Sequence, residues 1–280
     1  MKRKITLKND FTKGSVIHNI LELAAPMILA QIVQVLYNIV DRIYIGRMPE
    51  NSTLAMTGIG LTLPILTIII AFTNLFGMGG APLSSIARGK GDAEEAEAIM
   101  GNSFVLLVFF GILLTILGLI FKEPVLMLFG ASPETFPYAN DYITIYLMGS
   151  IFVMIGLGMN SFINAQGFGK TGMVTVLLGA IANIILDPIF IFVFHMGVKG
   201  AAIATIISQF LSSVWILLFL CGKSTILKLK IKNFRLKKSR VKRIVTLGLS
   251  GFVMAITNST VQIICNASLQ HYGGDLYVGI

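Results

Sequence analysis

The sequence has little charge and almost no cysteine. Only 12% of its 280 residues are Asp, Glu, Lys or Arg, about half of the share that is usual in soluble domains. Its 2 cysteines are too few for a disulfide-stapled secreted fold, and they show no CxxC spacing. The hydrophobic content of 55% excludes a disordered chain. A large soluble core or a membrane protein remains.

Long stretches without charge decide between these two classes. Five stretches contain no Asp, Glu, Lys or Arg, and two more contain a single acid each. Each is at least as long as the roughly 20 residues that cross a bilayer core, and a soluble globule does not contain seven such runs. The sequence therefore predicts an all-α polytopic membrane protein. The predicted helices cover residues 16–45, 53–86, 97–121, 138–165, 172–195, 200–221 and 244–271.

The basic residues are concentrated in a few connections between these helices. Of the 22 Lys and Arg residues, ten lie between Lys223 and Arg243 and five between Lys2 and Lys13. With the N-terminus in the cytoplasm, 18 basic residues lie on that side and four on the other. The positive-inside rule therefore predicts a cytoplasmic N-terminus. Nucleic-acid binding is not expected, because no interleaved aromatics or reading motif accompany the basic runs.

The seventh helix resembles the first. Leu23-Ala24-Ala25-Pro26 stands 224 residues before Leu247-Gly248-Leu249-Ser250, and transporters are commonly built from repeated helical halves. On this interpretation the chain is part of a roughly twelve-helix protein. We predict a six-helix transmembrane bundle over residues 1–222, a basic cytoplasmic linker over 223–243, and the first helix of a second, repeat-related bundle over 244–280.

The first predicted helix carries a polar stripe on one face. The stripe consists of Gln31, Gln34, Asn38 and Asp41. At 100° per residue these side chains fall within an arc of about 80°, which faces protein or water rather than lipid. One interpretation is a polar cavity. The other is an interhelical hydrogen-bond seam in which Arg42 neutralises Asp41 near the membrane interface.

The fifth predicted helix contains a second acid, Asp187. Asn183 lies one turn before it on the same face, and Pro188 directly after it leaves the carbonyl of Ile184 without a backbone donor. A carboxylate and a carboxamide beside loosened backbone are suited to holding a proton or a small cation such as Na⁺. Alternatively, Asp187 caps local structure near a helix end.

Motifs for catalysis or for a cofactor are not evident. Gly77-Met78-Gly79-Gly80 lacks the flanking strands of a phosphate-binding loop, and we expect it to allow close helix packing instead. His18, His195 and His271 show no metal-ligand spacing. We therefore expect no enzyme activity, no cofactor, and no metal other than a coupling ion.

Several motifs resemble one transporter family. They are the Asp41-Arg42-Ile43-Tyr44-Ile45-Gly46 ending of the first helix, the run from Gly79 to Asp92, and the runs 183–192 and 197–205, the last two being the most specific. Over essentially the whole chain the sequence resembles the multidrug and toxic compound extrusion (MATE) transporters, and it is most similar to the bacterial DinF-like branch.

The resemblance implies a function and a site. It implies two six-helix bundles in a bacterial cell membrane that export organic cations or amphipathic drugs against H⁺ or Na⁺. The missing C-terminal bundle of the same chain would be a partner. For such an antiport mechanism we expect helix 1 to bend at Pro26, which would be a conformational hinge. The coupling ion would be bound by Asp41, Asn183, Asp187 and Thr205. The substrate cavity would be lined by Gln31, Gln34, Tyr37 and Asn38.

Two other functions stay open at this point. A lipid-linked oligosaccharide flippase of the same superfamily would need cationic residues in its cavity, whereas these spans contain acids. A seven-helix receptor or sensor is suggested only by the number of helices.

Overall fold

The computed structural model describes residues 15–48 and 51–273, and all regular structure within these two ranges is helical. A π-helical turn covers Ile189–Val193, and a 3₁₀ turn covers Ile231–Phe234. The α-helices are α1 (Val16–Gly46), α2 (Ser52–Gly89), α3 (Ala93–Leu128), α4 (Phe136–Met148), α5 (Ser150–Ala165), α6 (Gly169–Pro188), α7 (Gly197–Cys221) and α8 (Lys238–Gly273). The predicted all-α architecture is confirmed.

Six of these helices are each long and apolar enough to cross a bilayer. Together α4 and α5 are also long and apolar enough, either as one span that bends by 57° at Gly149 or as a re-entrant pair. The sequence predicted one helix over 138–165, and the structure divides it. The bend was missed because the charge-free run continues through Gly149 without interruption.

Helix α2 lies at the centre of the bundle. Half of its spanning window is buried, compared with 12% for α1. A Cβ atom on Gly77 would come within 2.8 Å of Gly158 Cα on α5, and one on Gly79 would overlap the α8 backbone at Ile244 and Gly248. Helices in lipid associate largely through such close packing. The expectation that the Gly77–Gly80 run allows close helix contact is confirmed.

Polar contacts place the basic connections at the same end of the bundle. Arg88 at the end of α2 donates to the carbonyl of Gln166 at 3.1 Å. The side-chain oxygen of Gln166 accepts from the Thr225 hydroxyl at 2.9 Å. At the other end, Lys199 and Asp141 form a surface ion pair of 3.4 Å. The predicted basic segment from Lys2 to Lys13 lies outside the described residues.

The segment between α7 and α8, residues 223–237, is called the linker segment below. It is fixed to the first turns of α3, which begins with the Asp92 carboxylate accepting from Glu95 N–H at 2.9 Å. Glu97 accepts from Lys230 Nζ at 2.6 Å and from the backbone N–H of Lys228 at 3.1 Å. The segment is therefore an ordered part of the bundle surface.

Helix α8 begins at Lys238, earlier than the predicted start at residue 244. It runs antiparallel to α2, because Gly248 contacts Gly79 near one end while the Ser259 hydroxyl donates to the Pro64 carbonyl at 3.0 Å near the other. A further contact joins the Thr67 hydroxyl and the Gln262 side-chain oxygen at 3.3 Å. The contact between α2 and α8 thus extends over several turns.

Candidate cation site

The packing of α1 against α6 brings two acids together. The carboxyl groups of Asp41 on α1 and Asp187 on α6 face each other closely enough to interact directly. Asp187 has no exposed surface, and Asp41 is partly buried. Among the described residues, neither carboxylate has a basic partner at ion-pair distance. Arg42, which follows Asp41 in the chain, attracts its charge without forming an ion pair, and no base is paired with Asp187 in the described residues.

The backbone around Asp187 is irregular. Pro188 ends α6, and the chain continues as the π-helical turn Ile189–Val193. Pro188 has no N–H to donate, and single π-helical turns are frequent at functional sites. One turn earlier, the Asn183 amide donates to Asp187 Oδ1 at 3.1 Å. The predicted pairing of Asn183 with Asp187 on one helix face is present.

Three buried oxygen atoms at this place have no hydrogen-bond donor in the described part of the chain. They are Asp41 Oδ1, Asn183 Oδ1 and Asp187 Oδ2. A buried acceptor without a donor destabilises a protein by about 1–3 kcal/mol. Three such acceptors on neighbouring residues form a ligand set that a proton or a small cation would satisfy.

A small cavity adjoins the acid pair. It has a volume of about 30 Å³ and is bounded by Gln34 and Tyr37 of α1, Asn183 of α6 and Thr205 of α7. The Gln34 amide donates to the Tyr37 hydroxyl at 3.0 Å. This volume suits one or two waters or a small ion, whereas drug-sized ligands occupy clefts of about 300–1,000 Å³.

Other predicted residues lie outside this cavity. Gln31 and Asn38 are exposed on the surface of α1. Pro26 is buried inside α1, which remains a helix from Val16 to Gly46. The structure thus places Gln34, Tyr37, Asn183 and Thr205 around one small space with the two acids beside it.

Three residues that were not predicted from the sequence also lie around the acid pair and its cavity. Tyr142 and Tyr146 of α4 are buried and stacked at a centroid distance of 6.0 Å. Tyr142 lies close enough to Asp41 and Asp187 to sense their charges, and Ser208 of α7 lines the cavity. The four-residue spacing of the two tyrosines puts them on one helix face and was the available sequence signal.

Known proteins resemble this chain in sequence. The MatE family profile matches residues 26–189, more than half of the chain and the part that holds Asp41, Asn183 and Asp187. This chain belongs to the MATE family. The resemblance noted from its motifs is thereby confirmed. Members of this family are transporters rather than enzymes.

Individual relatives agree with the family assignment. The chain is 29% identical over 263 residues to the multidrug export protein MepA of Staphylococcus haemolyticus, covering 94% of this chain and 58% of that protein. An inward-facing multidrug resistance MATE family transporter of the MOP superfamily superimposes with a TM-score of 0.83 at 27% identity, covering 93% of this chain and 59% of the other.

An outward-facing structure of a multidrug resistance MATE family transporter superimposes equally well. Its TM-score is 0.83 at 28% identity, with coverage of 92% of this chain and 56% of the other. The chain therefore spans less than two thirds of the length of each of these relatives.

Proposed function

We propose that this chain provides the ion-coupled part of a secondary active multidrug efflux transporter, which exchanges organic cations or amphipathic drugs for H⁺ or Na⁺. The observation that carries the proposal is the group of three buried acceptor oxygens on Asp41, Asn183 and Asp187. The multidrug export function of the MepA relative supports it.

The chemistry of the acid pair suits either coupling ion. Two ionised carboxylates in contact repel each other in a low-dielectric site. A proton shared between Asp41 and Asp187 removes that repulsion. Na⁺ does the same and prefers oxygen ligands, which the Asn183 carbonyl and the Thr205 hydroxyl supply in addition. The site is thus stable when loaded and strained when empty.

The drug binds at a different place from the ion. The cavity of about 30 Å³ holds no drug-sized molecule. Gln31 and Asn38 are exposed on α1, and polar side chains at membrane depth face a water-filled cavity or protein rather than lipid. The exposed polar face of α1 is therefore the surface that meets the substrate, opposite a second bundle of the same protein.

Coupling requires that ion and drug prefer different conformations, since a ligand with equal affinity for two states shifts neither. Helix α1 is the element that responds, because the ion binds across its contact with α6. Pro26 removes one backbone hydrogen bond from α1 and is the place where this helix bends most easily. The relatives described as inward-facing and outward-facing support two such states.

The alternatives lack a specific observation in their favour. A flippase for pyrophosphate-linked lipids needs cations in its cavity, whereas the contact between α1 and α6 contains the acids Asp41 and Asp187. A receptor or sensor does not need a strained acid pair.

The relatives and the basic end of the bundle support a bacterial plasma membrane with a cytoplasmic N-terminus.

The test is proton release from the purified chain in weakly buffered detergent solution. Na⁺ and the cationic dye ethidium are added separately, first to the native sequence and then to Asp41→Asn and Asp187→Asn. The control is Asp141→Asn, which removes the same charge from a surface ion pair. We expect release from the native chain and the control, and none from the two site variants.

The two ions give different results. If ethidium releases protons in the absence of Na⁺, the transporter is coupled to protons. If added Na⁺ releases protons and weakens the binding of the dye, it is coupled to sodium. Equal release from the native chain and both site variants would refute the assignment of the acid pair. No dye binding by a protein that carries both bundles would refute multidrug export and would favour the flippase.

A further inference from the structure

A second pocket, which is basic, lies at the N-terminal end of α3, where the linker segment meets α8. It has a volume of about 560 Å³. Its lining includes five cations, which are Lys232, Arg235, Lys237, Lys238 and Arg240, and one acid, Glu94. It is far larger than the ion cavity and has the size and charge of a site for a phosphate-bearing headgroup.

Three of these cations have no acidic partner. Arg240 is paired with Glu95 at 2.7 Å, and Lys232 approaches Glu94 at 3.6 Å. Arg235, Lys237 and Lys238 are exposed, and none forms an ion pair within the described residues. The pocket therefore presents uncompensated positive charge to a ligand.

A buried side chain, Asn102, holds the backbone of the pocket in place. Asn102 of α3 donates to the backbone carbonyls of Asn233 and Arg235, both at 3.1 Å, and accepts from Lys237 N–H at 3.0 Å. Its carboxamide thus fixes the backbone on both sides of the exposed cations. The side-chain amide of Asn233, which is only 8% exposed, lines the pocket and has no acceptor in the described structure. The pocket is preorganised, with one donor unused.

Apolar side chains beside the pocket indicate where its ligand comes from. Ile231 is 84% exposed and Leu236 is 48% exposed. Between them, Phe234 packs on Phe104 of the spanning helix α3 at a centroid distance of 5.2 Å. Exposed aliphatic side chains that alternate with cations at the end of a membrane span are typical of a segment inserted at the lipid interface.

We propose that this pocket binds the phosphate-bearing headgroup of an anionic phospholipid at the membrane surface, with Arg235, Lys237 and Lys238 contacting the phosphate and Ile231 and Leu236 inserted beside the acyl chains. The lipid completes the contact between the linker segment and α3. This site is separate from the acid pair and does not depend on the identity of the coupling ion.

The test is native mass spectrometry of the purified chain after extraction from vesicles of equimolar phosphatidylcholine and phosphatidylglycerol. Three cations near an anionic phosphate predict roughly a hundredfold preference for phosphatidylglycerol. We expect the triple variant Arg235→Gln/Lys237→Gln/Lys238→Gln to lose this preference. The matched control, Lys90→Gln/Lys170→Gln/Lys223→Gln, removes the same charge from exposed positions outside the pocket and should keep it.

A second variant separates a lipid from a free phosphate. Ile231→Ser/Leu236→Ser keeps every cation, and we expect it to retain less phosphatidylglycerol because the apolar anchors are gone. Equal retention of the two lipids by the native chain would overturn the proposal. Unchanged retention by the serine variant, together with equally tight binding of inorganic phosphate, would overturn the assignment to a lipid.

Discussion

Replacing Asn102 with alanine should release the linker segment from α3. The Asn102 side chain is fully buried and makes three hydrogen bonds to backbone groups of residues 233, 235 and 237. Alanine leaves two carbonyls and one N–H without partners. At about 1 kcal/mol net for each bond, the loss is about 3 kcal/mol in the free energy that keeps the segment closed.

The assay is hydrogen–deuterium exchange of peptides from residues 228–240. A loss of about 3 kcal/mol raises the opening equilibrium by roughly a hundredfold, since 1.4 kcal/mol corresponds to tenfold. Exchange in α2 and α5 should stay as in the native chain, because local opening does not involve the centre of the bundle. The effect is therefore confined to one segment.

The control for this experiment is Asn258→Ala. Asn258 is an exposed asparagine on α8, and its loss should leave the exchange of residues 228–240 unchanged. If Asn102→Ala exchanges at the native rate in this segment, the hydrogen bonds do not hold the linker and the reasoning is wrong.

Three further changes test other contacts. Gly248→Val places a side chain against the α2 backbone and should lower the free energy of unfolding by about 1–3 kcal/mol, measured by thermal denaturation. The control Gly251→Ala should be neutral, because its Cβ would meet no atom closer than 3.6 Å. Equal stabilities of the two variants would contradict the predicted clash. Glu97→Gln removes the ion pair between the buried Glu97 and the partly exposed Lys230 and should speed tryptic cleavage of the linker segment. The effect should shrink at high salt, and equal cleavage of the two proteins at low salt would contradict it. Thr205→Val should weaken Na⁺ binding several-fold by titration calorimetry and leave proton release intact; unchanged Na⁺ affinity would remove Thr205 from the ion site.

The acid pair could be predicted because burying charge in a membrane is expensive. Asp41 and Asp187 stand out in otherwise apolar helices, and the four-residue spacing to Asn183 follows from helix geometry. Their mutual contact required the three-dimensional packing of α1 on α6. Thr205 was expected only from the family resemblance, and the structure places it at the edge of the cavity.

The attachment of the linker segment could not be predicted. The sequence shows a basic stretch that looks like a solvated connection, whereas Glu97 and Asn102 bind it from more than 130 positions away in the chain. Such pairings leave no local pattern, because neither partner has unusual neighbours. The bend at Gly149 was missed for a related reason, since hydropathy reports that a segment is apolar and does not report its direction.

The attachment of α8 determines which parts of the molecule move together. Helix α8 is bonded to α2 and the linker segment is bonded to α3, so both stay attached to the described bundle despite the length of the connection between α7 and α8. The basic connection therefore fixes α8 to the bundle and does not act as a flexible linker. A movement of α8 away from α2 would therefore break these contacts, whereas the exposed side chains of Val253, Met254 and Val261 lie on the opposite side of α8 from them.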